Sequence, residues 1–351
     1  MSVRKLEPKE HANTRFLYEQ CFPEDSSKFI DYYYSEKILD NQIYVLEEDG
    51  QFCSMLHLNP YKLVVNGDES LVDYVVAVAT DIKHRKKGYM RQVLTTALND
   101  MFKDGKTFAF LMPARESIYI PYSFLTVCRQ ETKRIIIENQ GYLMEPGTEE
   151  MKVPEGDEFE LLAETANCYL YNNYKVFVKR DGNYYRRLLK ELKSDGAGIF
   201  IGIANKYDRK GILLCNCITD YRIILPMGEP YPQNAKIMFR ILNVKQALSF
   251  ISFKERCCIC FSVSDPDIEE NNAIFHVIGS DITDTDIRLN DKRDYESVMG
   301  TLPVYVLCGL IFGALTPGMC YNLKGVTMSI QLEKELDKWI PIKPIYISEM
   351  V

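Results

Sequence analysis

Between Ser70 and Gly105 the chain changes period, and that change limits the folds open to it. SLVDYVVAVAT reads as a buried strand, DIKHRKKG as a basic loop closed by a glycine, and YMRQVLTTALNDMFKDGK as an amphipathic helix. Met90, Val93, Leu94, Ala97, Leu98 and Met101 fall on one helical stripe, and Gly105 marks the stop. A strand that runs through a glycine loop into a helix brings unpaired N–H groups and the positive dipole end to the strand's edge. Such a junction accepts an anion. Gly88 lets the backbone come close, while Arg85, Lys86 and Lys87 add charge. The plain alternative is a solvated basic helix start, but cations are unfavourable there unless an anion compensates.

Charge indicates which anion. Formal net charge is -7 and the pI about 5.4, so the chain as a whole repels a phosphate backbone. Nucleic acid is therefore not the expected partner, and the basic run is better suited to a compact anionic ligand. With 351 residues the chain exceeds one ordinary domain, and two or three of roughly 100–150 residues are expected. The first residues, MSVRKLEPKEHANTRF, contain no signal-like apolar stretch. The longest apolar run, Leu302 to Leu315, falls short of the roughly 20 residues that span a bilayer and reads as a buried helix. A cytoplasmic protein without a membrane span is implied. Eleven cysteines are expected as reduced thiols, and no metal site is expected. Cys215 and Cys217, like Cys257, Cys258 and Cys260, alternate as strand residues do and have no second pair at finger-like spacing.

Three segments follow one another. Up to residue 130, two aromatic-rich helices precede strands separated by Asp-Gly and Asn-Gly turns, then the strand–loop–helix unit and the buried strand TFAFLMPA. From 131 to 234 the element order begins again without a basic glycine loop, and Pro226 to Gln233 reads as a linker. From 235 to 351, strands such as IMFRILNV and ERCCICFSVSD alternate with helices, and the chain closes in PIKPIYISEMV.

VVAVATDIKHRKKGYMRQVL resembles the acetyl-CoA motif of the GCN5-related N-acetyltransferases (GNAT), commonly [RQ]-x-x-G-x-[GA], with Met90 where a small residue is usual. With LMPARESIYIPYSF, RDGNYYRRLL, MFRILNVKQAL and the proline-rich tail, nearly the whole chain is similar to the multidomain enhanced-intracellular-survival (Eis) branch. The resemblance implies an α+β fold: tandem GNAT acyltransferase folds, each a mixed sheet flanked by helices, then a sterol-carrier-like domain. The first domain (1–130) would be catalytic, the second (131–234) would lack the cofactor motif, and the third (235–351) would supply the terminal carboxylate. It also implies hexamers that acetylate an amine: a small molecule such as an aminoglycoside or polyamine, or a lysine.

By the same resemblance, Val78, Ala79 and Thr80 offer main-chain groups to the pantetheine and acetyl carbonyl. Arg85, Lys86, Lys87, Gly88, Tyr89, Met90 and Arg91 hold the diphosphate, with Ala114 and Arg115 adjoining the cofactor. Tyr119 would be the general acid; a phenol with a pKa near 10 can protonate a departing thiolate while staying neutral at pH 7. Without the resemblance, Tyr119 is one of 23 tyrosines, and simple packing is the default. The base would be the Val351 carboxylate, whose ordinary pKa of about 3.5 must be raised by desolvation or bypassed through a water. Glu24, Asp25, Phe29, Tyr33, His57 and Glu349 are expected to line an electronegative acceptor cleft, or else to be core and surface. A non-catalytic cofactor- or lipid-binding role on the same fold is the competing reading.

Overall fold

The computed structural model describes residues 2–130, 133–136, 148–194, 201–204, 211–213, 221–224, 235–279, 285–290 and 298–349. The expected linker at Pro226 to Gln233, Cys215, Cys217 and Val351 lie outside them.

The N-terminal part runs β1 (Ser2–Lys5), α1 (Arg15–Cys21), α2 (Ser27–Ser35), β2 (Gln42–Glu48), β3 (Gln51–Val65), β4 (Asp68–Thr80), α3 (Tyr89–Lys103), β5 (Phe108–Leu111), α4 (Glu116–Tyr119) and β6 (Leu125–Arg129). Two hairpins start it. Asp49–Gly50 and Asn66–Gly67 all have positive φ, the backbone that a two-residue turn between right-twisted strands requires. In β2, Ile43 and Val45 pack against α1 and α2 while Tyr44 and Leu46 pack on the opposite face toward α3. Helices cover both faces, which is why β2 is nearly continuously apolar. α3 buries Val93, Leu94, Ala97, Leu98 and Met101, and each of its larger apolar side chains is worth about 1.5–3 kcal/mol on full burial.

Among the described residues nine strands join in one mixed sheet, ordered β1-β2-β3-β4-β5, then the strand Lys236–Ile241, then β6. Lys236–Ile241 pairs antiparallel with both β5 and β6. At the other end of β3, Leu63–Val65 pairs with Val176–Val178, which in turn pairs in parallel with Ile345–Tyr346. All three segments of the sequence thus contribute strands to one sheet.

Beyond it, α5 (Glu158–Asn173) and α6 (Gly182–Ser194) share a core of Phe159, Leu162, Ala166, Tyr185 and Leu189. A five-stranded sheet in the last segment includes Cys257–Ser264, where the alternation of cysteines is that of a strand. The apolar run is a buried helix, Val304–Ile311, packed into the same core as Phe239 and Leu242. No helix among the described residues is long and apolar enough to cross a membrane. All nine described cysteines are free.

Candidate active site

β4 and β5 run parallel and pair only at Asp73–Ala109 and Tyr74–Phe110. Past Tyr74 the strands part, so the β5-side edge of β4 from Val76 to Thr80 has no strand partner there. Opposite β3 the register slips: Met55 pairs with Ala79 and His57 with Val76, so β4 carries an extra residue. Ala77 takes up the bulge with φ 49. Ala79 is buried, Val78 and Thr80 half-buried, and Ser54 Oγ donates to the Ala79 carbonyl at 3.0 Å.

Gly88 caps α3 in the left-handed region (φ 79) with no side chain on the helix amides, and a Cβ there would meet nothing within 4 Å. The first turn therefore has no side-chain cap on its N–H groups. Lys86 is also left-handed, φ 63, and Arg85, Lys86, Lys87, Gly88 and Arg91 are exposed. Tyr89 is buried and Met90 half-buried. Arg85 Nε donates to the Thr80 carbonyl at 3.2 Å, which ties the loop back to the strand. Arg91 lies over the Tyr122 ring at 5.3 Å.

Across the opening from β4, the chain leaves β5 through exposed Ala114 and Arg115, the latter at the N-cap of α4. α4 ends at Tyr119, which is 8% exposed, edge-on to Phe124 at 6.0 Å. Burial pushes its phenol up to about 12, so it stays protonated at neutral pH.

The tail packs beside the end of β6 and the start of α6. After the strand Ile345–Tyr346, the buried Arg180 holds it: the guanidinium donates to Ser348 Oγ at 2.8 Å and Tyr185 Oη at 2.9 Å, and lies over the rings of Tyr184, Tyr185 and Tyr346. Glu349 is 5% exposed; its Oε1 accepts from the Tyr184 hydroxyl at 3.0 Å and its carbonyl from Gln130 Nε2 at 3.1 Å. Burial first, then the fields of neighbours that include both Glu349 and Tyr119, raise the Tyr74 phenol. Burial, with a smaller contribution from Glu349, also raises the Cys128 thiol to about 12.

Residues 2–126 match the family model described as an acetyltransferase (GNAT) domain. Residues 2–126 are thus similar to a GNAT acetyltransferase domain. Solved structures with the same fold over the whole chain include a conserved protein of Enterococcus faecalis described as a probable N-acyltransferase (13% identity, 99% of each chain, TM-score 0.74). A GCN5-related N-acetyltransferase from Anabaena variabilis matches at 12% identity over 98% of this chain and 99% of that one, TM-score 0.73. Eis1 from Mycobacterium abscessus matches at 13% identity over 99% of each, TM-score 0.66. At these identities the likeness is one of fold. No curated protein sequence matches.

On the other face of the GNAT sheet the expected acceptor residues are not gathered on one wall. Glu24 is exposed and Asp25 accepts from the Tyr18 hydroxyl at 2.8 Å, both in the α1–α2 connection. Phe29 and Tyr33 belong to the helix-side core. Tyr33 Oη bonds His57 Nδ1 at 2.8 Å, and burial lowers the pKa of that fully enclosed imidazole to about 3. His57 is hence a neutral core residue. Sequence reading missed a buried polar junction between the first segment and α6. Lys37 Nζ, from the short turn after α2, donates to Tyr61 Oη of β3 at 2.9 Å and lies 3.9 Å from Glu191 of α6. Burial chiefly lowers the Lys37 pKa. Arg180, Tyr184 and Gln130 were missed too; RDGNYY had been noticed, but its partners lie far along the chain.

Proposed function

We propose that this chain transfers the acetyl group of acetyl-CoA to a primary amine of the aminoglycoside, polyamine or lysine class. Acetyl-CoA supplies the thioester. What supports its placement is the fit of the parted end of β4, the open uncapped amides at Gly88 and the exposed cations from Arg85 to Lys87. In this reading the main chain of Val78 to Thr80 aligns the acyl arm, and the first turn of α3 neutralises the diphosphate.

Tyr119 then donates its phenolic proton to the departing sulfur. The tail provides the acceptor side: the Val351 carboxylate takes the proton that the ammonium must lose before it attacks, and Glu349 attracts the cationic acceptor. The division of labour gives catalysis to 1–130, support of the tail to the GNAT-like 131–234, and presentation of the terminus to a sterol-carrier-like 235–351, in a cytoplasmic hexamer. The observation that carries the reading is the open junction itself: β4 and β5 pair only at Asp73–Ala109 and Tyr74–Phe110, and exposed Gly88 opens α3 with no side-chain cap.

The test is thiol release from acetyl-CoA against a panel of amines. Tyr119→Phe should lose about 10²–10⁴-fold in kcat with coenzyme binding retained. Residues added after Val351 should do likewise. Full turnover in the extended chain removes the terminal base, and no turnover with any amine despite coenzyme binding favours the regulatory role.

A further inference from the structure

A second group of chemically capable side chains lies outside the transfer site, where the β2–β3 hairpin meets the loop leading to Gly88. Glu48 ends β2, Cys53 stands near the start of β3, and His84 closes the short turn after β4. One carboxylate oxygen, the thiol sulfur and one imidazole nitrogen lie within 4.8 Å of one another. We propose that Glu48, Cys53 and His84 bind a divalent cation of the zinc class, with water completing its shell.

The donor set favours that class. A thiolate, an imidazole and a carboxylate together suit a borderline-soft ion that accepts four tetrahedral ligands, whereas magnesium and calcium require oxygen. Bond lengths of about 2.0–2.3 Å place tetrahedral ligand atoms roughly 3.3–3.7 Å apart. His84 Nε2 and Glu48 Oε2 are already 3.8 Å apart, and with all three ligand atoms within 4.8 Å the cluster must draw in by at most about 1 Å.

The surroundings resemble the support a metal site needs. A metal-bound imidazole is oriented by a carboxylate on its other nitrogen. Here Asp81 Oδ1 lies 3.4 Å from His84 Nδ1, leaving Nε2 turned to Glu48. The backbone N–H of Lys83 bonds that same Asp81 oxygen at 2.7 Å. The His84 ring stacks on Tyr89, whose hydroxyl donates to Glu48 Oε2 at 2.9 Å. Cys53 is 1% exposed, whereas the Glu48 and His84 side chains keep an edge to solvent, which gives an ion a way in. A network of hydrogen bonds alone needs no sulfur at the inner wall.

Binding replaces the S–H bond of Cys53 by a sulfur–metal bond and releases the proton to solvent; no oxidation is involved. The test uses full-length protein stripped with a chelator, then titrated with cobalt(II) alone, and with zinc(II) in competition with a chromophoric chelator. A thiolate-to-cobalt charge-transfer band should saturate near one equivalent with about one proton released per ion. It should vanish in Cys53→Ser, and zinc should bind at least about tenfold more weakly to His84→Gln and, through the supporting carboxylate, to Asp81→Asn. His84 and Asp81 lie on a loop outside the core, so these variants report on the site even if Cys53→Ser is poorly folded. An undiminished band in Cys53→Ser, zinc affinity unchanged in both loop variants, or no band at all would overturn the assignment. None of these readouts depends on acetyl transfer.

Discussion

The Tyr184 hydroxyl donates to the Glu349 carboxylate at 3.0 Å, tying α6 to the last described residue of the tail. Beside it Arg180 grips Ser348 and stacks on three tyrosines. Hydrogen bonds to charged groups contribute about 1.5–3 kcal/mol, so Arg180→Ala should release the tail locally while the N-terminal sheet stays folded. We expect carboxypeptidase to trim the variant while sparing the parent, and kcat to fall by about 10²-fold through misplacement. A tail equally resistant in both would show that Arg180 does not hold it.

Gly88 is left-handed at φ 79, in space that a Cβ could enter without a clash. Gly88→Ala should therefore cost stability only through backbone strain, about 1–2 kcal/mol by chemical denaturation. Its effect on coenzyme binding should be the larger one, because in the proposed site the methyl group would stand where the diphosphate approaches the amides. Calorimetric titration with CoA checks this; equal affinity in the two proteins would move the diphosphate elsewhere.

His57 is enclosed and neutral, with a pKa lowered from 6.5 to about 3 by burial and, less, by His11. Below pH 6.5 the unfolded chain gains a proton at this residue that the folded chain refuses. Stability therefore falls as pH drops from about 6.5 towards 3, at up to about 1.4 kcal/mol per pH unit from this group. Urea unfolding at stepped pH should show this slope in the parent and a flatter one in His57→Gln.

Arg240, on the strand inserted between β5 and β6, donates to Asp265 Oδ1 at 2.6 Å with both side chains fully buried. Asp265 also accepts from the amides of Asp267 and Ile268 and from Asn271 Nδ2. Removing one partner strands a buried charge, so Arg240→Met should lose about 3–5 kcal/mol. Asp265→Asn in the Arg240→Met background should recover part of that loss. A double variant no more stable than Arg240→Met would argue against an unpaired charge as the cause.

Much of the scaffold was readable from local pattern. The helix from Tyr89 follows from its apolar spacing, and the hairpin turns from Asp49–Gly50 and Asn66–Gly67, because a helical stripe and a positive-φ pair are short-range demands. The placement of IMFRILNV was not. It has the composition of a strand opening the last segment, yet Lys236–Ile241 completes the sheet of the first, since two strand edges were open there and pairing is decided in space. His57 illustrates the same limit. Its type suggested an acceptor wall, and only packing against Tyr33 made it a core residue.

The sequence by itself determined the strand–loop–helix junction at Gly88, because a strand, a glycine and a helix start are neighbours along the chain. Tertiary structure alone decided which distant residues meet. Glu349 meets Tyr184 across 165 residues and Gln130 across 219, and Cys53 meets Glu48 and His84 from three separate elements. Backbone propensity acts within a few residues, whereas these contacts form only when buried strands from distant segments complete one sheet.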